Sequence, residues 1–593
     1  MALRNFALAF LVSAACLSRA DIDYTVTIRN SEGTGQRMQV SLVIPVRSAT
    51  TEVQMPNWGP GGYVLGDFSR NVDGLKITGN KGNGAPQDDV GPLTPAQPNN
   101  YTWSIPTAGL RTVTVNYTVP VTITEEIGHY GGPRSYMYVV GRKEEKCKLT
   151  IDLPPGWNIA TGLDRSNGHF SAPTYDVLAD NPVTFGKYRE LRYMVDGVPH
   201  ILAMYGPARN DVDTDKLLKA CSFISAAEND LFGNKPPYTH YVWHFNVNRR
   251  PDGGGGLEHL ASTEITLANG LGNGIIGVNA HEFFHLWNVK RIRSRVLGPF
   301  DYTKLPETGA LWWLEGVTEY YAHQLMTRYG YWDDKKWYDT IVRNVNNVRR
   351  VPARMTVGPY ESSFRVKDTN NGRGNSNGYQ ISYYDLGVLA GICLDTEIIV
   401  RSKGRYSLDD VERALWNECK DSKPGFEEGE IRNLCVRFGG PALGDMYDKI
   451  IMHGGEMPVE DQLAKVGLTM STHNKDFTDP GFEIRQGRGM AIGKVTAPGD
   501  GKLKVDDVVQ EVNGNAVPTL GGLNAVIAKI KAGDAVTVKV KRGEDTIDVS
   551  LTAGTVSRPT QDIQEDPNAT AQQKALREFW LYRGKKGWQP PKG

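Results

Sequence analysis

The spacing His281-Glu282-x-x-His285, inside "VNAHEFFHLWNVKRIR" (Val278–Arg293), constrains this chain more than any other feature. Residues four apart lie on nearly one helical face, so both imidazoles can reach one metal ion. Glu282 sits at the edge of that face. From there it can reach a metal-bound water without being a ligand. The chain has 11 His in 593 residues, and at that frequency the spacing arises by chance in about one of a hundred chains this long. Ile275, Ile276, Val278, Phe283, Phe284, Leu286 and Trp287 make the segment strongly apolar, as expected of a buried helix.

Two imidazoles do not complete a catalytic zinc site, which needs a third protein ligand and one open position. "LWWLEGVTEYY" supplies a candidate. Glu315 follows His285 after 29 intervening residues, directly behind Leu311, Trp312, Trp313 and Leu314. Glu319 lies one turn further on the same face, where it can hydrogen-bond the free nitrogen of a ligating histidine. The alternative, a solvated face of an amphipathic helix, is costly beside two tryptophans. There is no C-x-x-C, so the site is not built on thiolates.

Length suggests three or four domains. Lys plus Arg equals Asp plus Glu at 67 each, with no basic block, which disfavours nucleic-acid binding. "MALRNFALAFLVSAACLSRADIDY" has a positive start at Arg4, an apolar run from Phe6 to Cys16 and a small-x-small site at Ser18-Arg19-Ala20. This reads as a signal peptide over residues 1–20 and predicts an exported protein, periplasmic or secreted. Lipid anchoring at Cys16 is the weaker reading, because Ser13 stands where a large aliphatic residue is usual. No later apolar run is long enough to span a membrane. Cys147, Cys221, Cys393, Cys419 and Cys435 remain, an odd number. Cys419 and Cys435 are the nearest pair and could bridge in an oxidising compartment.

The fold class expected is multidomain α+β. Residues 21–188 alternate with period two, as in "MQVSLVIPV" and "RTVTVNYTV", and predict an all-β domain, a sandwich or large twisted sheet. Residues 189–468 begin with strands, "YTHYVWHFNVN" and a glycine loop followed by a strand in "GGGGLEHLASTEITLA". They become mostly helical after Pro306, with a polar loop at Val366–Ser382. The stretch "RSRVLGPFDYTKLPETG" (Arg293–Gly309) reads as a surface excursion. Residues 472–553 form a small α/β module, whose helix in "LGGLNAVIAKIKAG" is expected to end at Gly533. Arg542–Asp545 suits a hairpin turn. Residues 554–593 read as a polar C-terminal tail that Trp580, Tyr582 and Trp588 could dock back.

The glycine-rich stretch Gly253–His259 lies between strand-like segments, ahead of the metal helix. Its glycines let a backbone approach a ligand closely. Glu258 is the acid of that stretch, and a carboxylate there can pair with a free α-ammonium group. Gly255, Gly256, Leu257, Glu258 and His259 are therefore the substrate-binding candidates. Lys290, Arg291 and Arg293 could fix carboxylates of substrate or protein, or complement the helix dipole.

"HEFFHLWNVKRIR", "GGGGLEH", "WWLEGVTEYY" and "YYDLGVLAGICLD", in their places along the chain, resemble the glycyl aminopeptidase family of gluzincin zinc metallopeptidases. The resemblance implies an N-terminal β domain, a thermolysin-like catalytic domain and a C-terminal PDZ domain. It implies one zinc per chain on His281, His285 and Glu315, with Glu282 as general base. Tyr384 falls at the position of a tyrosine that stabilises the transition state, with adjacent Tyr383 as its rival, because Leu386 stands where such proteins often carry lysine. It further implies removal of N-terminal residues, small ones such as Gly or Ala preferred. Peptides are then the substrates, and a peptide C-terminus is a possible ligand of the PDZ domain at "PGFEIR" or "GRGMAI". Two other functions fit the same residues: an endopeptidase on unfolded exported proteins, and a peptide-binding protein with a purely structural zinc. Intact Glu282 argues against the latter.

Overall fold

Strand Arg37–Pro45 shows how the alternating segments pair. Met38, Val40, Leu42 and Ile44 share one face and are fully buried. They lie opposite Val119, Tyr117, Val115 and Val113 of Thr112–Pro120. Each such side chain contributes about 1.5–3 kcal/mol on leaving water. In the computed structural model this pair is central to an eight-stranded sheet. Its order is 164–166, 169–172, 147–152, 22–27, 37–45, 112–120, 73–80, 89–90, with 22–27 and 147–152 parallel. Two four-stranded sheets complete the N-terminal all-β domain. The structure describes residues 21–29, 36–82, 84–248, 254–268, 273–364, 381–420, 424–485 and 489–589. The expected leader with Cys16, Gly253, most of the loop 366–382 and part of "GRGMAI" lie outside them.

The peptidase-like part opens with a five-stranded sheet, in the order 189–195, 198–205, 241–248, 262–268, 255–258. The three middle strands run parallel. The last, Gly255–Glu258, is an antiparallel edge strand on Ser262–Ala268. The glycine stretch is thus a strand in its second half and not only a loop. Pairing with a β-branched neighbour overrides the weak strand preference of glycine. Helices Asn273–Phe284, Thr318–Arg328, Asp334–Arg349, Tyr383–Ser402 and Leu408–Cys419 follow, as the periodicity predicts. None of the described helices is long and apolar enough to cross a membrane.

Four expectations are corrected. Residues 554–589 are not a flexible tail, although they do dock back through Trp580 and Tyr582 as the sequence suggested. Gly554–Glu565 pairs with Leu468–Asp479 along its whole length, and helix Ala571–Tyr582 buries Trp580 completely. Gln324 Nε2 donates to the carbonyl of Trp580 at 3.0 Å, and Arg583 bridges to Asp409 at 3.1 Å. Arg293–Gly309 is not a surface excursion. Leu297 and Tyr302 are buried, Tyr302 within the β-domain core, and its carbonyl accepts from the Asn57 backbone at 2.9 Å. The helix of the C-terminal module stops at Ile527 with Ala528 as its cap, not at Gly533. Gly533, at φ 93°, turns the chain into strand Ala535–Arg542. Finally, Cys419 and Cys435 do not bridge: all five described cysteines are buried and none is in a disulfide.

The C-terminal module has its own core, including Ile492, Val512, Val538 and Val540. Its main sheet runs 515–516, 508–512, 535–542, 545–552, with Arg542 facing Asp545 across the predicted hairpin turn.

Candidate metal centre and active site

The helix Asn273–Phe284 carries His281 and Glu282, and the chain turns just beyond it at His285. Residues Trp312–Val317 form one π-helical turn that places Glu315 toward them. Such turns are rare and recur at functional sites. The approach of the supporting helices is set by two glycines. A Cβ on Gly316 would sit 2.5 Å from Gly387 Cα, and one on Gly387 would sit 2.1 Å from the Trp312 carbonyl oxygen. Only the absence of both side chains lets Glu315 lie beside Tyr384.

Three donor atoms converge. His281 Nε2 and His285 Nε2 are 3.0 Å apart, and Glu315 Oε2 lies 3.4 Å and 3.3 Å from them. Ligands about 2.0–2.1 Å from a tetrahedral zinc ion are separated by roughly 3.3 Å, so the set fits zinc. All three are nearly inaccessible to solvent. Their other atoms are held as well. His281 Nδ1 lies 3.0 Å from Glu319 Oε2, and His285 Nδ1 lies 2.5 Å from the Asn288 carbonyl oxygen. Glu319 also meets His323 Nε2 at 3.0 Å. Burial opposes charge on His281, but Glu315 and Glu319 outweigh it and hold the imidazole well above its usual range. Burial likewise opposes charge on Glu315, yet the two imidazoles keep it far below the usual carboxylate range.

Glu282 is buried, and burial pushes its carboxyl up to about 7 against the pull of the two histidines. The edge strand passes over it. A Cβ on Gly256 would lie 2.3 Å from Glu282 Cγ. Two residues on, the Glu258 carboxylate points to the same side. One ligand atom each of Glu258, Glu282 and His285 lies within 4.8 Å of the others. Leu257 and His259 face the other side, onto an inter-domain cleft of about 690 Å³. There His259 sits 3.0 Å from Glu264 and 3.5 Å from Asp180 of the β domain. Gly255 lies in the exposed start of the strand.

Tyr384 tilts over the His281 ring, with centroids 5.8 Å apart, and stacks on Tyr383 at 4.8 Å. Burial and then Glu315 raise its phenol well above the usual range, so it is a hydrogen-bond donor at neutral pH. Tyr383 is the less exposed of the two; Glu315 acts on both phenols, and Tyr384 is also in hydrogen-bond contact with it. Lys290 and Arg291 serve the protein itself: Lys290 Nζ meets Asp180 at 2.5 Å, and Arg291 donates to the carbonyls of Leu260 and Pro237, both at 2.8 Å.

Two parts of the site escaped sequence reasoning. One is the loop Trp58–Gly66, which brings Tyr63 from the β domain to Glu258 and Glu315. Its signal was "NWGPGGYVLG", a glycine loop with two aromatics. The other is Asp180, with no local signal at all.

Residues 23–187 match the peptidase M61 N-terminal domain, 274–390 match the M61 glycyl aminopeptidase domain, and 467–552 match a PDZ domain. The chain thus carries both M61 glycyl aminopeptidase domains together with a PDZ domain. It is therefore an enzyme, a metallopeptidase of aminopeptidase type, that also carries a PDZ domain. The fold is similar to an aminopeptidase N family protein from Idiomarina loihiensis, with a TM-score of 0.72 at 22% identity over 94% of this chain and 100% of that one. An M1 zinc metallopeptidase from Deinococcus radiodurans aligns at a TM-score of 0.44 and 12% identity, over 74% of this chain and 95% of that one. No curated protein matches the sequence.

Proposed function

We propose that this M61 peptidase is an exported zinc aminopeptidase that removes N-terminal residues, glycine and alanine before larger ones. The observation that carries the reading is the closeness of Glu258 to Glu282 and His285, within 4.8 Å. A carboxylate there takes the substrate's α-ammonium through a charge-assisted hydrogen bond. It fixes the first peptide bond, and no later one, beside the metal ligands. The edge strand Gly255–Glu258 offers free backbone groups to an extended peptide, and Gly256 lets that peptide pass close to Glu282. The family's name, glycyl aminopeptidase, supports the small-residue preference. Export rests on the leader-like pattern of residues 1–20.

His281, His285 and Glu315 would hold one zinc ion, with Glu319 orienting His281; bound there, it would supply a Lewis acid for the scissile carbonyl and an acidified water. Glu282 accepts the proton from the attacking water and passes it to the leaving amine. Tyr384 donates a hydrogen bond where negative charge develops on the carbonyl oxygen. The PDZ domain takes a peptide C-terminus as an added strand.

The test compares glycyl and alanyl amides with their N-acetylated forms, in wild type and in Glu258→Ala. Free substrates should be cleaved and acetylated ones spared, and Glu258→Ala should raise KM for the free forms. Equal cleavage of free and acetylated substrates by the wild type would show an endopeptidase instead.

A further inference from the structure

The loop Trp58–Gly66 reaches from the β domain onto the strand Gly255–Glu258. A Cβ on Gly61 would sit 2.4 Å from Leu257 Cδ1 and 3.0 Å from both carboxylate oxygens of Glu258. The loop backbone therefore lies against the group assigned above to the α-ammonium. Two residues on, Tyr63 takes a left-handed backbone, φ 43°. A bulky residue adopts this conformation at a cost of order 1–3 kcal/mol, and keeps it only where the surroundings impose it. Here the Tyr63 ring stacks on Trp58 with centroids 6.4 Å apart, and Trp58 Nε1 donates to the Asp301 carbonyl at 2.8 Å. Tyr63 is only 6% exposed. Burial, and then Glu315, Tyr383 and Glu258, raise its phenol well above the usual range, so the neutral ring faces both carboxylates.

The loop divides two spaces of very different size. Trp58, Gly61, Tyr63 and Glu258, with Val289 and Phe300, border a cavity of only about 20 Å³. Gly59, Gly62 and Val64, on the other side of the loop, line the inter-domain cleft of about 690 Å³. An amine on Glu258 and a carbonyl at the metal ligands fix the substrate's first Cα between them. On the aminopeptidase reading, its side chain enters the space beside Glu258 that Tyr63 borders. One water needs on the order of 10–15 Å³, so there is room for one small group.

We propose that Tyr63, buttressed by Trp58, is the wall that limits the N-terminal residue to glycine or alanine. This deepens the aminopeptidase reading and rests on it. The β domain then supplies half of the subsite for the first residue, and the two domains act as one binding unit.

Tyr63→Gly removes the ring where glycine takes the positive φ without steric cost. Tyr63→Phe keeps the wall. The readout is kcat/KM for glycyl, alanyl and leucyl p-nitroanilides in wild type and both variants. Wild type should favour glycyl and alanyl. Tyr63→Gly should raise the leucyl-to-glycyl ratio at least about tenfold, the scale of a few methylenes in a pocket. Tyr63→Phe should leave the ratio within about threefold of wild type, less than one methylene contributes. A parallel fall on all three substrates at unchanged ratio would overturn the wall and leave the aminopeptidase reading standing. A wild type that cleaves leucyl as well as glycyl substrates would end the small-residue preference and the wall together. Should Tyr63→Gly fail to fold, Tyr63→Asn, which also tolerates left-handed backbone, carries the same comparison.

Discussion

Gly256 lies directly against Glu282: a Cβ on the glycine would meet Glu282 Cγ at 2.3 Å and Oε1 at 2.5 Å. The carboxylate is buried and cannot swing into solvent. Gly256→Ala must therefore move either the edge strand or Glu282. A misplacement of about 1 Å at reacting groups costs on the order of a hundredfold in rate. We expect Gly256→Ala to keep its zinc and its fold while kcat falls at least about tenfold, the lower end of that scale. Metal analysis beside steady-state kinetics checks this, and normal turnover would show that the strand yields without consequence.

The donor set and the base should separate cleanly. Metal analysis should find about one zinc per chain in the wild type, and His285→Ala, which removes one of three ligands, should abolish it. Glu282→Gln keeps shape and loses basicity. It should retain zinc and lose activity by at least about a hundredfold. Near-normal turnover in Glu282→Gln, or unchanged zinc in His285→Ala, would reject the respective assignment.

The parts of this site that were legible in the sequence are those carried by local periodicity. His281 and His285 share a face because helices repeat every 3.6 residues. Glu315 declared itself as an acid behind two tryptophans. The alternation of Met38, Val40, Leu42 and Ile44 gave the β domain. What stayed hidden depends on distant pairing. Gly255–Glu258 has no strand-forming side chains beyond Leu257, and becomes a strand only against Ser262–Ala268. Gly554–Glu565 is largely polar, with half of its residues exposed, and its partner lies far upstream in the chain. Tyr63 reaches the site from another domain, and no spacing rule links it to Glu258. The π turn at Glu315 was equally invisible, because it extends an otherwise helical pattern.

His259 provides a pH signature. Burial would lower its imidazole, but Asp180 and Glu264 raise it from 6.5 to about 9. Lys290, on Asp180, and His129, on Glu264, complete its charged surroundings. A folded value above the unfolded one means stabilisation that is full below about 6.5 and lost as pH rises through about 9. The size should be about 1–3 kcal/mol. The unfolding free energies of wild type and His259→Gln should differ by this amount at pH 6 and converge near pH 10. A difference independent of pH would mean that His259 acts through packing alone.

Asp479 and Gly554 face each other across the ribbon that carries the PDZ domain. The domain is therefore inserted between two paired strands, and the C-terminal helix beyond the ribbon is part of the catalytic core. Simple truncation at residue 471 would remove Trp580 and the Arg583 bridges as well, and would confound any conclusion about the PDZ domain. Excision of residues 480–553 with an Asn-Gly link between Asp479 and Gly554 avoids this, since that pair favours a two-residue hairpin turn. The excised enzyme should keep its melting transition of the catalytic unit and cleave dipeptide amides within about twofold of wild type. Peptides long enough to engage both sites should lose the tethering advantage. Their KM should rise by about tenfold or more, given effective concentrations in the millimolar range. Adding a C-terminal amide to such a peptide should weaken its binding to wild type and leave the excised form unaffected, because strand addition in this domain type engages the terminal carboxylate. Equal loss for short and long substrates on excision would assign the domain a structural part only.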